Sequence, residues 1–336
     1  MRVEPIEIDE WESVLPDAGF EVFHAPAALE VLGEHVDGDL RLFAGYKGDQ
    51  PVGLMPVVVA ERLFSTLVFS PPPGMSVSRL GPVLMPQSPK RRKQEKVNRR
   101  FTEAVLEEIE SDSPLELFRM ICNTTYADPR PFRWQDFDLG TQFTYQLDLA
   151  GRDPESVRKD FSKSLRRDVR DAEDLDVTVE RGDRNDARAI YEQTRARYEE
   201  QGRNYPLSWA YVSDLVASLL ETGRARIYVA RDASGQFLTG ITVLYSNDAA
   251  YFWQGGTRTV HDGVGLNSLL HWRIIEDIID DPPRESVTTY DLMGANTERL
   301  CQYKSKFGAE LVPYYVVESG GRTMALAKKT YQALVR

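Results

Sequence analysis

The sequence predicts an α+β protein of two similar units in tandem, each a mixed, mostly antiparallel sheet flanked by helices. Three observations carry this expectation. The chain has 336 residues, and a domain ordinarily takes about 100 to 200. Two stretches nearly two hundred residues apart read alike, LRLFAGYKGDQPVGLMPVVV at 40–59 and ARIYVARDASGQFLTGITVLY at 225–245. Each joins an apolar alternating strand, a turn rich in Gly, Asp or Ser, and a second strand beginning near Gly53 or Gly240, the pattern of an antiparallel hairpin. Each hairpin also follows helical stretches, at 11–15 and 27–32 in the first half and at 187–201 and 209–220 in the second.

The second half continues with a strand AYFWQGG (250–256), a loop TRTVHDGVG, and a helix with Leu266, Leu269, Leu270, Ile274 and Ile278 on one face. A strand VTTYDLMGA (287–295) follows, then a helix capped by Asn296 and running to about Phe307, then a closing hairpin of LVPYYVVE with TMALAKK. The first half shows a Pro-rich loop SPPPG (70–74), a helix near 94–110 and a strand LELFRMI (115–121), with no matching glycine loop. A charged helix at about 155–174 carries Phe161, Leu165, Val169 and Ala172 on one face and is expected to pack across the domain junction. The expected domains are 1–140 and 141–336.

Composition narrows the function. Apolar residues make up 42% and charged residues 28%, the balance of a globular protein with a core in each half. No apolar run approaches the roughly 20 residues of a membrane span, and the first residues lack a signal-peptide pattern, so a cytoplasmic protein without a transmembrane segment is expected. Two cysteines, one in each half, exclude a disulfide framework, and four scattered histidines give no ligand spacing, so no metal is expected. A net charge of −11 repels nucleic acid and anionic membrane on average and argues against DNA as a partner. The exception is KRRKQEKVNRR (90–100), a basic cluster able to hold a tRNA backbone or the diphosphate of a lipid-linked precursor, or simply a solvated helix start.

Four motifs in order, TYQLDL (144–149), KSLRRDVRDA (163–172), YDLMGA (290–295) and YKSKFG (303–308), resemble the FemAB-type transferases, which carry two GNAT (acyl-CoA N-acyltransferase)-like domains. The resemblance covers most of 141–318; residues 1–140 match in layout and in phrases such as VGLMPVVV, as a degenerate first domain. It implies an acyltransferase that forms an amide by moving an aminoacyl or acyl group from an activated carrier to an amine of a cell-envelope precursor or a small molecule. The carrier, aminoacyl-tRNA or acyl-CoA, is a substrate rather than a bound cofactor, and a lipid-linked acceptor implies peripheral contact with a membrane. Two other readings stay open: an acyl-CoA-dependent N-acetyltransferase of a small amine or amino sugar, and a noncatalytic module binding an anionic glycan or lipid precursor.

The resemblance places donor binding at the glycine loop, here Gly263, Val264 and Gly265, with Asn267 at the start of the following helix. Val260 stands where such loops begin with Arg or Gln, yet two glycines before a helix still offer backbone N–H groups to a phosphate. Lys304 matches the lysine of an aromatic-Lys-x-x-Phe-Gly motif that stabilises charge around the reacting ester; read alone, it is a cation near a helix C-terminus. Tyr303 is a proton donor to the leaving group, a stacking surface or a core aromatic, and Asp291, at a strand end, orients an amine, accepts its proton or forms a turn. Arg197, Tyr205 and Trp253 are the candidate substrate contacts, Arg197 as a fork for phosphate or carboxylate.

Overall fold

The computed structural model describes residues 1–63, 65–109 and 116–320. The chain divides into two compact units, Met1–Gln142 with Pro313–Arg336, and Phe143–Val312. The return of the chain to the first unit at Pro313 is absent from the sequence reading, which ends that unit at 140.

The first unit opens with β1 (Arg2–Ile6), α1 (Ile8–Val14) and α2 (Pro26–His35), followed by β2 (Asp39–Lys47), β3 (Gln50–Arg62), β4 (Ser65–Ser70) and the short β5 (Val83–Leu84). Then come α3 (Arg91–Ile109), β6 (Glu116–Ile121), α4 (Arg130–Trp134) and β7 (Asp138–Asp148), within which the chain passes to the second unit. The β2–β3 hairpin forms as expected, with Phe43 opposite Met55 and Lys47 opposite Gln50. Alternation sends Leu42, Ala44 and Leu54 to a cluster with Trp11 and Leu29, and Phe43, Met55 and Val57 to a cluster with Phe101 and Val105 of α3. Gly45 and Gly53 admit the Phe101 ring: a Cβ would stand 2.5 Å from its Cδ2 at Gly45 and 2.9 Å from its Cγ at Gly53. Beneath the loops, Arg79 and Glu21 form a buried ion pair at 2.8 Å.

The second unit contains α5 (Pro154–Asp160), α6 (Lys163–Glu173), β8 (Val177–Arg181), α7 (Arg184–Glu200), α8 (Trp209–Glu221), β9 (Ala225–Asp232), β10 (Phe237–Tyr245) and β11 (Ala249–Gly255). A small hairpin of β12 (Val260–His261) and β13 (Val264–Gly265) precedes α9 (Asn267–Asp280), β14 (Thr289–Asp291), α10 (Glu298–Lys304) and β15 (Glu310–Glu318), within which the chain returns to the first unit. Strand order is β8-β9-β10-β11-β14-β7, with β11 and β14 parallel and the other neighbours antiparallel. In the first unit the order is β1-β2-β3-β4-β6-β15, with β4 and β6 parallel and β5 beside β3. The chain therefore exchanges strands: β7 follows the first unit's elements yet pairs with β14, and β15 follows the second unit's yet pairs with β6.

Three expectations change. The helix read at 155–174 is two helices, because Ser162 caps a new one by accepting from Leu165 N at 3.2 Å while Phe161 turns extended and packs its ring on Trp272 and Phe307. Phe161, Leu165, Val169 and Ala172 are all buried, and α6 packs on α9 in the second unit's core. Asn296 does not cap α10, whose N-cap is Thr297; its amide instead bonds both backbone groups of Phe143, at 2.8 and 3.1 Å. The strand at 287–295 keeps only three residues because Met293 and Gly294 adopt left-handed conformations. The segment TMALAKK (323–329) and Leu115 lie outside the described residues. No described helix is long and apolar enough to cross a membrane.

Candidate active site

The turn that follows β14 builds the second unit's charged centre. Asp291, fully buried at the strand end, accepts from Thr144 Oγ1 at 2.5 Å, Gln146 Nε2 at 3.0 Å and its own neighbour Met293 N at 2.7 Å. Thr144 and Gln146 lie two apart on β7, so strand alternation puts both on the face that reaches Asp291. Lys304, at the last position of α10, is 5% exposed and its ammonium donates to the carbonyls of Met293 and, at 3.3 Å, Gly294. It also stands 5.5 Å from the centre of the Phe252 ring. Burial lowers its pKa to about 8, against the pull of the Asp291 charge, which raises it. The ammonium is thus withdrawn from bulk water.

Tyr303 lines this centre without joining it. Its ring packs on Phe307 and His271, and burial pushes its phenol up to about 12, with Ser268 pulling it partly back. His271 is fully buried, bonds the Tyr290 hydroxyl at 2.8 Å, and is driven down to about 3 by burial and then by Lys304, so it stays neutral. Among the described residues no group of three or more His, Cys, Asp and Glu could hold a metal ion.

The glycine run takes a different form from the expected open loop. Asp262 and Gly263 both have positive φ, 49° and 83°, the conformation of a two-residue hairpin turn, so Val260 pairs with Gly265 and His261 with Val264. A Cβ at Gly263 or Gly265 would meet nothing within 4 Å. Asn267 opens α9 and donates to Gly256 O at 2.9 Å, while its own Oδ1 is buried with no donor; no side chain caps the helix.

The candidate substrate residues separate. Arg197 lies on the exposed surface of α7 and pairs with Glu200 at 2.8 Å, so it does not converge with the others. Tyr205, in the loop after α7, packs its ring on Tyr191 and Tyr198 and accepts from Gln254 Nε2. Trp253 is the extra residue of a bulge, where Thr242 faces Gln254 and Val243 faces Phe252. The structure thus brings Lys304, Asp291 and Tyr303 to one place and Tyr205 and Trp253 to the end of β11. Sequence reasoning missed Thr144, Gln146 and His271; the two polar residues alternating in TYQLD were the available signal.

A family model described as Acetyltransferase (GNAT) domain matches residues 156–305, where α7, α8, three antiparallel strands, α9, a parallel strand and α10 follow in order. Residues 156–305 are a GNAT domain. Among solved structures the chain is similar to FemX, with a TM-score of 0.69 at 13% identity over 94% of this chain and 97% of that one. L-PGS from Bacillus licheniformis matches with a TM-score of 0.56 at 13% identity, covering 97% of each chain. A tandem GNAT protein from the clavulanic acid biosynthesis pathway matches with a TM-score of 0.50 at 13% identity, over 96% of this chain and 99% of that one. No curated protein matches the sequence. At such identity the solved structures show the fold, which is that of FemX and tandem GNAT proteins over nearly the full length. In the GNAT domain, the charged centre falls where the parallel strand ends.

Proposed function

We propose that the second unit makes an amide by transferring an aminoacyl or acyl group from an activated carrier to an amine, with Lys304 stabilising the oxyanion. One observation carries the reading: Lys304 is a buried cation with two of its three N–H groups on the Met293 and Gly294 carbonyls. The third is left for a substrate oxygen, and in a dry site such a donor is worth far more than in water. Asp291, with three donors already on its carboxylate, acts as the fixed counter-charge rather than as a base. The amine attacks the carbonyl directly, negative charge gathers on the carbonyl oxygen beside Lys304, and the leaving oxygen or sulfur takes the proton the amine loses. Tyr303 walls the centre, and Tyr205 and Trp253 contact the acceptor.

The donor is an aminoacyl ester carried by tRNA in our reading, with its phosphates near Gly263, Val264, Gly265 and Asn267 at the uncapped start of α9. The hairpin at 260–265 supports this choice over acyl-CoA, because strand pairing leaves less free backbone than the open loop that wraps a diphosphate, whereas a single phosphate needs only the turn and the uncapped start of α9. The acceptor is an amine of a cell-envelope precursor or a small molecule, met in the cytoplasm. The deciding assay supplies aminoacyl-tRNA or acetyl-CoA with a lysine-containing peptide as amine and follows ester loss, thiol release and amide formation. Transfer from the ester, falling about 100- to 1000-fold in Lys304→Met, is the expected result. Thiol release without ester turnover reassigns the donor, and no transfer from either carrier leaves a binding module.

A further inference from the structure

Each element that surrounds the Lys304 ammonium also meets one buried histidine. From the end of α10 the ammonium reaches the Met293 and Gly294 carbonyls after β14 and stands over the Phe252 ring of β11. His271, one turn into α9 and 1% exposed, faces all three elements. Its Nδ1 bonds the hydroxyl of Tyr290 on β14 at 2.8 Å. Its ring stands at 87° to that of Phe252, with centroids 4.8 Å apart, and at 74° to that of Phe307, just past α10, at 5.3 Å. The Tyr303 ring, beside Lys304 on α10, is centred 6.2 Å away.

A hydrogen-bonded pair inside an aromatic cluster adds little stability over apolar groups of the same shape, so its presence needs another reason. Burial, and then Lys304, holds the imidazole neutral, with its pKa at about 3, and burial pushes the Tyr290 hydroxyl well above its ordinary range. The bond therefore persists throughout the range in which Lys304 titrates. What it adds is direction. The terminal torsion of an imidazole is broad, so packing sets the ring angle loosely, whereas a hydrogen bond to one nitrogen fixes it. A fixed ring at 271 fixes the tilt of Phe252, and with it the aromatic face turned to the ammonium. The titratable groups facing His271 are Tyr290 from β14 and Lys304 and Tyr303 from α10, and those facing Lys304 are Asp291 from β14, Cys301 from α10 and His271 itself.

The geometry points to His271 and Tyr290 as a positioning pair for the proposed transfer: their bond sets the Phe252 ring over the Lys304 ammonium and ties the end of β14 to α9, so the ammonium is held where the oxyanion forms. The inference rests on the reading of Lys304 as the oxyanion's partner. Both residues act through others. His271 works through Phe252, and Tyr290 through the turn after β14, since it directly precedes Asp291 and the carbonyls that hold the ammonium.

Three measurements on the full chain test this: steady-state transfer from aminoacyl-tRNA to a lysine-containing peptide, urea melts, and carbon NMR titration of the Lys304 side chain, assigned by its loss in Lys304→Met. His271→Phe with Tyr290→Phe removes both polar partners, and the space left by the hydroxyl admits the larger ring at 271. This double variant is expected to melt at a urea concentration no lower than the wild type's, to lose about 10- to 100-fold in kcat with KM within about twofold, and to lower the Lys304 midpoint by about half a pH unit or more. Tyr290→Phe alone takes away one oxygen and is expected to lower kcat about tenfold and the midpoint by about 0.3 pH unit or more, so it carries the test if the double variant does not fold. The titration is read on the protein by itself and decides the positioning even where the wild type transfers nothing, a result that fails the reading of Lys304 instead. The inference is overturned if the midpoint in these variants stays within about 0.2 pH unit of wild type, if kcat stays within about twofold, or if the loss falls on KM with kcat unchanged.

Discussion

Lys304 makes two opposite demands on pH, and their coexistence is the sharpest test of the proposed site. Its pKa is lowered from 10.5 to about 8, chiefly by burial. If its charge stabilises the oxyanion, kcat/KM for transfer falls about tenfold per pH unit above 8, so only ~10% of activity remains near pH 9. Stability moves the other way. Between about 8 and 10.5 the unfolded chain holds a proton that the folded chain has released, so folding becomes more favourable as pH rises through that window. The gap, at about 1.36 kcal/mol for each pKa unit, amounts to ~3 kcal/mol, present in full as a penalty below pH 8 and relieved by pH 10.5. Initial transfer rates, corrected for spontaneous loss of the donor ester, and urea denaturation at matched pH measure the two curves. Lys304→Met lacks both features, and Lys304→Arg, charged throughout, keeps reduced activity without the alkaline fall. An alkaline fall that survives in Lys304→Arg, or wild-type stability that tracks Lys304→Met from pH 8 to 10.5, refutes the reasoning.

Other consequences follow from the same geometry. Arg79→Met strands the Glu21 carboxylate in the first unit's interior and is expected to lower stability by about 3 to 5 kcal/mol in urea melts, while Arg79→Met with Glu21→Leu loses less. Gly265→Ala meets open space at an ordinary φ, so its stability stays within about 0.5 kcal/mol of wild type, whereas Gly263→Ala at φ 83° loses roughly 1 kcal/mol. A raised donor KM in Gly265→Ala at unchanged melting temperature marks the hairpin as donor-binding. Fragment 1–140 is expected to show no cooperative unfolding by circular dichroism, because the cut leaves β6 without β15; adding fragment 141–336, which carries β15, restores it.

Much of the fold was legible because its signals are local. Alternation and turn residues give the β2–β3 and β9–β10 hairpins, and apolar spacing gives α7, α8 and α9 within a few residues of their ends. The motif YKSKFG singles out Lys304 in the sequence alone. The hairpin at 260–265 is also local, since Asp-Gly between short apolar flanks is a two-residue turn signal.

What the sequence by itself determined is therefore the set of elements, their order, and the lysine on which the proposed chemistry turns. The tertiary structure alone decided that β7 and β15 exchange units, that Thr144 and Gln146 grip Asp291 from 145 or more positions away in the chain, and that Lys304 is sunk among carbonyls. The reason is physical. Periodicity and turn chemistry act between neighbours in the chain, whereas strand partnership and the desolvation of a charge depend on which distant segments close over it.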